Sequence, residues 1–394
     1  MNGRLLSSFG KVLEREGRRI LSRPIYFVLI VVIPLLTMTI PHAIFRLGVP
    51  RKLPIAVCDL DHSQLSRHLS RLLDANSYLQ VTYQVPNAES GRQLILSGRV
   101  YMLVVLPRDL ERDVNLGRSP KIASFYNNQW FSVGGIVNRE LGNVINHEIE
   151  RLKLRFYMSG GKLPDTAAAQ SNPIRVDTHM LFNPFLNYEN FLAMPLVPAL
   201  LQIVVTMTTI FVIGLELKRG TASEWLEAAG GNLDVALLGK LLPYSLVFVV
   251  MAATFNAWLF GLVEMPDRGH AFFLWIATVL MVLAYQAVGI TFIALFGSLR
   301  LSVSLATIYC GPAFAFGGVT FPLLAVTVGG KIWSAILPLP YFLQIMVDQA
   351  IRGAPWRDSM FALGVLVGFV LLGPALAHLR LGRILVDPRY RGRT

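Results

Sequence analysis

Long apolar stretches, with charged residues only at their ends, dominate the hydrophobic pattern of this chain. A helix needs about 20 consecutive apolar residues to cross the hydrocarbon core of a bilayer. Six stretches meet or exceed that length: Pro24–Phe45, Phe191–Leu215, Leu241–Val263, Ala271–Leu299, Leu301–Gly330 and Ser359–Leu379. The pattern predicts an α-helical polytopic membrane protein with six spans, of which spans two to six form a membrane domain over 189–380.

The fifth stretch is longer than one span and contains residues that end helices. Pro312, Gly317, Gly318 and Pro322 interrupt it, and Pro338 and Pro340 follow in a shorter apolar run. Irregular backbone at membrane depth must be sheltered by protein or line a cavity. The pattern therefore predicts a re-entrant segment near 312–350, and these six residues are candidates to line or gate such a cavity. The alternative is ordinary packing of small residues between helices.

Basic residues are concentrated at the two ends of the chain. Residues 1–23 and the tail 381–394 are both rich in arginine. Lys and Arg in short flanks remain in the cytoplasm, so both termini are predicted to be cytoplasmic. Apolar residues in 1–23 recur near helical spacing, at Leu5, Phe9, Val12, Leu13 and Ile20. This predicts an amphipathic helix on the inner membrane surface, in contact with anionic lipids, and a plain topology signal is the alternative.

A polar block of domain size, residues 46–188, separates the first span, 24–45, from the second. Apolar β-branched runs, alternation and helical periodicity predict four strands and three helices, at Pro54–Cys58, Ser63–Leu73, Tyr78–Val85, Ala88–Leu96, Val100–Leu106, Lys121–Tyr126 and Val133–Tyr157. The block is therefore predicted to be an inserted α/β domain outside the cytoplasm. The motif Asp59-Leu-Asp61-His62-Ser63 predicts a helix cap by Asp61 or Ser63, with a metal site as the alternative.

The loop after span two is predicted to be cytoplasmic and to contain a short helix near 219–230. Thr221 and Glu224 have the spacing of a capping box. Gly220 permits a turn before the helix, and a glycine pair at 230–231 permits its end. These signals predict a helix over Ala222–Ala229.

Trp225 and Leu226 lie in the middle of that predicted helix, among charged residues. We expect the two side chains to project from it as an apolar knob. An exposed tryptophan beside charge is typical of a docking element. A plain connector between two spans is the alternative.

The composition agrees with a membrane protein and excludes several other classes. Hydrophobic residues make up 54% of the chain, charged residues only 15%, and the mean hydropathy is +0.52; soluble domains carry about 25% charged residues. The net charge of +12 is divided between the ends and the polar block, so we expect no nucleic-acid partner. Cys58 and Cys310 lie in different kinds of segment, and we expect no disulfide, metal or cofactor in this chain.

In the order of these features, the chain resembles an ABC type-2 exporter permease over nearly its whole length. The amphipathic start, the large insert after span one and the broken stretch before the last span are similar. So are the motifs at Asp59–Ser63, Leu181–Phe191, Glu216–Leu226, Gly239-Lys240, Pro243-Tyr244 and Leu337–Tyr341.

The resemblance implies a transporter subunit of the bacterial inner membrane that is not itself an enzyme. Two copies, or this chain and a paralogue, would enclose a path. ATP and Mg would bind to a separate ABC ATPase subunit, since these residues contain no G-x-x-x-x-G-K-[ST] phosphate loop. The implied ATPase-coupling residues are Glu216, Lys218, Arg219, Gly220, Thr221, Glu224, Trp225 and Leu226. Trp225 and Leu226 would seat in the ATPase groove.

Few ionisable residues lie in the predicted spans, which favours ATP-driven over proton-driven transport. A mostly apolar path suits export of a hydrophobic or amphipathic substrate: a drug, as in multidrug efflux, a lipid or a lipid-linked molecule. A periplasmic adaptor and an outer-membrane channel are further candidate partners. The alternative function is a membrane-anchored sensor or assembly protein whose extracytoplasmic domain binds a partner.

Overall fold

A computed structural model of the chain describes residues 2–46, 48–129, 131–159, 187, 189–261 and 268–390. The chain divides into two compact units: the membrane unit, Met1–Gly48 with Met180–Thr394, and the insert unit, Val49–His179. Some predictions fall outside the described residues: most of the Leu181–Phe191 motif, the last two residues of predicted span three at 262–263, and the tail beyond residue 390.

Two helices open the membrane unit: α1, Asn2–Ser22, and α2, Pro24–Phe45, which includes a π-helical turn at Val28–Val32. Arg23 between them is extended, and Pro24 occupies the first turn of α2, where its missing N–H costs no hydrogen bond. The predicted helix over residues 1–23 is confirmed. Its predicted position on the inner membrane surface remains a prediction.

The insert unit alternates strands and helices. They are β1 Leu53–Asp59, α3 Gln64–Ala75, β2 Leu79–Gln84, α4 Ala88–Leu96, β3 Met102–Leu106, α5 Leu110–Asn115, β4 Ala123–Tyr126 and α6 Phe131–Ser159. The sheet order is β2-β1-β3-β4, with β1 parallel to β2 and β3 and β4 antiparallel to β3. The four predicted strands and three predicted helices are confirmed within a few residues, and α5 was not predicted. The location of this unit outside the cytoplasm remains a prediction.

The Asp59–Ser63 motif forms the turn between β1 and α3. The Ser63 hydroxyl accepts the backbone N–H of Ser66 at 3.1 Å, which confirms Ser63 as the cap. The Asp61 carboxylate instead accepts the backbone N–H groups at the first two residues of α5, at 3.0 and 3.1 Å. Among the described residues, no group of three or more His, Cys, Asp and Glu side chains is placed to hold a metal. The motif therefore joins the starts of two helices.

The remaining helices belong to the membrane unit. They are α7 Met194–Arg219, α8 Ala222–Ala228, α9 Leu233–Gly261, α10 Ala271–Phe296, α11 Leu299–Cys310, α12 Val328–Ala335, α13 Pro338–Met346, α14 Met360–Leu376 and α15 Gly382–Val386. In the part of the chain that the structure describes, five helical stretches are long and apolar enough to cross a membrane: Pro24–Phe45, Phe191–Arg219, Leu233–Gly261, Ala271–Phe296 and Trp356–Val386. They correspond to five of the six predicted spans.

The remaining predicted span, Leu301–Gly330, does not form one helix. Helix α11 has 12 residues and gives way at Gly311 to a 3₁₀ turn, so at about 1.5 Å per residue α11 is shorter than the bilayer core. Gly311, Pro312 and Gly317 lie where the regular helix is lost. A sixth crossing is reached only by counting Val328–Ala335 with Pro338–Arg352, which are bent by 82°. The re-entrant segment near 312–350 remains a prediction, and this bend lies within it.

Candidate functional site

The short helix α8 lies between the two long helices α7 and α9. Gly220, at φ 70°, ends α7 and turns the chain into α8. The predicted helix is confirmed as Ala222–Ala228, but its predicted capping box is wrong. The Thr221 side chain caps no backbone N–H; its hydroxyl donates to the carboxylate of Glu216 instead. A buried carboxylate is a stronger acceptor than a neutral group, so Thr221 ties α8 to α7.

Trp225 faces inward, and its predicted exposure is wrong. Its side chain is fully buried, and its Nε1–H donates to the backbone oxygen of Ala236 in α9 at 3.2 Å. The ammonium of Lys240 lies 5.0 Å from the centre of its ring, within cation–π range. Trp225 therefore fastens α8 to α9 and presents no knob at the surface.

The outer surface of α8 is acidic. Glu224 and Glu227, three residues apart on one helix face, are exposed. Lys218 and Arg219, at the end of α7, are also exposed, and Leu226 is half-buried. The structure thus separates the predicted coupling residues into an exposed charged group and a buried group of Glu216 and Trp225.

Glu216 is the centre of a buried ion cluster. It accepts hydrogen bonds from Arg15 at 2.7 Å, from Lys240 at 2.8 Å and from Arg19. Its carboxylate is fully shielded from solvent, and the Lys240 ammonium is equally buried. Buried charges of this kind persist only when they are paired and hydrogen-bonded.

Glu16 of α1 is the second carboxylate of this cluster. It accepts from the Lys240 ammonium at 2.7 Å and from the Tyr244 hydroxyl at 2.7 Å. Close packing supports these bonds: a Cβ added at Gly239 of α9 would lie 2.9 Å from the Val12 side chain of α1. The first helix is thus attached to α9 by charge and by shape.

Sequence reasoning did not select Glu16, Arg15, Arg19 or Lys240 as site residues. One signal in the sequence could have identified Glu16. It lies four residues from Val12 and four from Ile20, on the same helix face, so an acidic residue interrupts the apolar face of a basic helix. An acid in that position requires a cationic partner on the element that packs there.

The cluster contains three cations and two carboxylates, so its net charge is +1 (3 − 2). Burial lowers the pKa of Arg19, but its hydrogen bond to Glu216 and the charge of that carboxylate outweigh burial and raise the pKa. The cluster joins α1, α7 and α9, with α8 attached through Thr221 and Trp225. A displacement of α8 would therefore act on both neighbouring long helices.

The predicted path residues are distributed over the segment between α11 and α13. Gly317, Gly318, Pro322 and Pro340 line one open cavity of about 600 Å³, whereas Pro312 and Pro338 do not. The same cavity is lined by Lys331, Asp348 and Arg352, among mostly apolar side chains. The Arg352 guanidinium contacts the buried Asp348 carboxylate at 2.8 Å. The role of these residues in a path or gate remains a prediction.

Comparison with known proteins agrees with this architecture. The chain matches the ABC-2 family transporter proteins over residues 24–378. It is 25% identical over 232 residues to the inner membrane transport permease YhhJ of Escherichia coli (strain K12) and equally to that of Shigella flexneri. The aligned region covers 58% of this chain and 53% of each relative, so the chain spans about half the length of these relatives. The match over most of its length shows that the chain belongs to the ABC-2 family of transporter proteins.

Proposed function

We infer that this chain is the membrane-spanning subunit of an ATP-driven ABC exporter in the bacterial inner membrane. Two copies, or this chain and a paralogue, would enclose the path, and separate ABC ATPase subunits would bind ATP and Mg. The proposed cargo is a hydrophobic or amphipathic molecule that moves outward. The family membership supports this proposal, and so does the similarity to relatives that are inner membrane transport permeases.

The attachment of α8 is the observation that carries the proposal. One end of α8 is bonded to α7 through Thr221 and Glu216, and its middle is bonded to α9 through Trp225 and Ala236. Its exposed face carries Glu224 and Glu227. An element with an open charged face and two fixed attachments to long membrane helices is suited to transmit a force applied from outside the bundle.

In the proposed mechanism, the ATPase contacts the exposed charges of α8 and of the end of α7. Glu224 and Glu227 supply negative charge, and Lys218 and Arg219 supply positive charge. When two ATPase subunits close on ATP, α8 moves with them and carries α7 and α9 along. A ligand on one subunit thereby shifts a two-state equilibrium of another. Trp225 is assigned to the attachment of α8, and not to the ATPase groove.

The buried ion cluster would make α1, α7 and α9 move as one rigid body. Since α1 is bonded to both α7 and α9 through Glu16, Arg15 and Arg19, the three helices would tilt together. A packed, hydrogen-bonded group changes between discrete arrangements more readily than it deforms continuously. The cavity lined by residues 317–324, α12 and α13 is the proposed region of the path that opens.

Affinity purification of the tagged chain in mild detergent tests the proposal. Co-purifying proteins are identified by mass spectrometry, and the eluate is assayed for ATP hydrolysis. We expect a P-loop ATPase to be recovered. Reversing both charges on α8, Glu224→Arg with Glu227→Arg, should lower ATPase recovery by about tenfold because charge complementarity at the contact is lost.

Glu89→Arg is the matched control, because Glu89 is an exposed helical glutamate of the insert unit. It should leave ATPase recovery unchanged. Purification without any ATPase and without hydrolysis would reject the exporter assignment in favour of an anchored sensor or assembly protein. Recovery that is unaffected by the reversed charges would reject α8 as the contact.

A further inference from the structure

The insert unit contains a cavity of about 550 Å³ between α3, α5 and α6. Leu65, Leu69 and Leu110 form its buried floor. Ile145 and Ile149 of α6 form one wall. Small-molecule sites in proteins occupy about 300–1,000 Å³, whereas packed interiors contain few voids larger than one water molecule. The space therefore has the size of a ligand site and not of a packing defect.

The lining of this cavity is aliphatic. Of the 14 described residues that line it, eight are Leu, Ile or Val and none is aromatic. Planar aromatic ligands gain specific affinity by stacking on aromatic rings. A flexible hydrocarbon chain needs only apolar area, which this wall supplies. The lining thus favours an aliphatic chain over a planar aromatic compound.

The charges at the cavity favour an anion. Glu148, Arg118 and Lys153 lie in the lining, and each of the three already has a partner within the protein. The Glu148 carboxylate is 3% exposed and already bound by Arg151, at 2.5 and 2.8 Å. Arg118 contacts Asp113 at 3.3 Å through a side chain that is 68% exposed. Such an exposed pair contributes little and exchanges readily for another anion.

We propose that the cavity between α3, α5 and α6 binds the aliphatic chain of an anionic amphiphile, whose head group contacts Arg118 and Lys153. A free fatty acid and an anionic phospholipid share this chemistry. The site lies in the insert unit, and it does not depend on ATP-driven export.

Photolabelling of the full-length chain tests this site. The protein is reconstituted in nanodiscs of phosphatidylcholine, exposed to a long-chain fatty acid that carries a diazirine, and irradiated. Labelled peptides are then mapped by mass spectrometry. We expect saturable labelling of peptides from α3 and α6. A long-chain alkylamine of the same length should label these peptides about tenfold less, because its head group is repelled by the cations.

Ile149→Glu is the test variant, because Ile149 is a lining residue that is 41% exposed, so its substitution should not disturb folding. It should lower labelling of α3 and α6 by about tenfold. Leu96→Glu is the matched control, since Leu96 is 72% exposed on α4 and does not line the cavity. It should leave labelling unchanged, and unaltered unfolding temperatures establish that both variants are folded.

A phospholipid with the diazirine in its acyl chain distinguishes the two sources. Labelling of α3 and α6 by anionic phosphatidylglycerol assigns the chain to a membrane lipid, and labelling by the fatty acid alone assigns it to a free amphiphile. Both outcomes support the site. Label confined to the membrane helices, equal labelling by the alkylamine, or equal labelling of Ile149→Glu and the unaltered chain would overturn it.

Discussion

Replacement of Lys240 by methionine should weaken the attachment of α1 to the membrane unit. The Lys240 ammonium is fully buried and donates to Glu16 at 2.7 Å and to Glu216 at 2.8 Å. Glu216 retains two arginine partners in the variant. Glu16 retains only the Tyr244 hydroxyl, at 2.7 Å, and Arg19, at 3.8 Å. The loss therefore falls mainly on Glu16.

The magnitude follows from this loss of partners. Removing one member of a buried ion pair costs about 3–5 kcal/mol, because the other charge remains buried without compensation. For units of 150–250 residues, 1 kcal/mol shifts the unfolding temperature by about 2–4 °C. We therefore expect Lys240→Met to lower the unfolding temperature by about 10 °C.

The Glu16→Gln/Lys240→Met double variant tests whether the effect arises from the pair. Both changes together restore the net charge of the cluster to +1 (2 − 1), the value in the unaltered chain. The double variant should therefore be more stable than the sum of the single effects predicts, with a coupling of about 1–3 kcal/mol. Lys218→Met is the control, because Lys218 is an exposed lysine of the same region.

The native cysteines make a suitable assay. Cys58 and Cys310 are both buried, so a thiol-reactive fluorogenic dye responds only on unfolding. In a Cys58→Ala background the signal reports Cys310, within the membrane unit. Strictly additive effects of the two substitutions, or a Lys240→Met variant as stable as Lys218→Met, would refute the proposed coupling between Glu16 and Lys240.

Three further predictions concern packing and reactivity. Trp225→Ala should lower the free energy of unfolding by about 3–5 kcal/mol in a thermal-unfolding assay, because it empties a buried site. Glu224 is exposed, so Glu224→Ala should change that free energy by less than about 0.5 kcal/mol. Equal effects would contradict the buried position of Trp225. Gly373→Ala should destabilise the folded protein by about 1–3 kcal/mol in the same assay, because the added Cβ would lie 2.6 Å from the Ala287 backbone. Gly368→Ala should be neutral, because a Cβ added at Gly368 would meet no atom within 4 Å. Burial raises the pKa of the Cys58 thiol, which lowers its thiolate fraction at any given pH. Its labelling by maleimide should therefore be at least about tenfold slower in the folded protein than in denaturant. Equal labelling rates, measured by mass spectrometry, would contradict the burial of Cys58.

Local patterns determined much of the fold from the sequence alone. Five candidate spans follow from the length of their apolar runs, since a bilayer of fixed thickness imposes that length on any helix that crosses it. Strand β2 follows from the alternation of apolar and polar residues, and the Ser63 cap follows from one polar side chain within three residues of its partner. The broken fifth run, Leu301–Gly330, was the exception: glycine and proline positions indicated that it breaks, but not how its pieces bend.

Only the tertiary structure decided the composition of the candidate site. Glu16 and Lys240 are 224 residues apart, and no local pattern reports a pairing over that distance. Trp225 lies among charged residues in the sequence, so its neighbours indicated exposure, but α9 covers its face of α8 and accepts its N–H. Which face of a short helix is buried depends on the elements that the topology brings against it. The sequence alone therefore predicted the helix α8, whereas the packing of α1, α7 and α9 around it determined which of its residues are fixed inside and which are open to a partner.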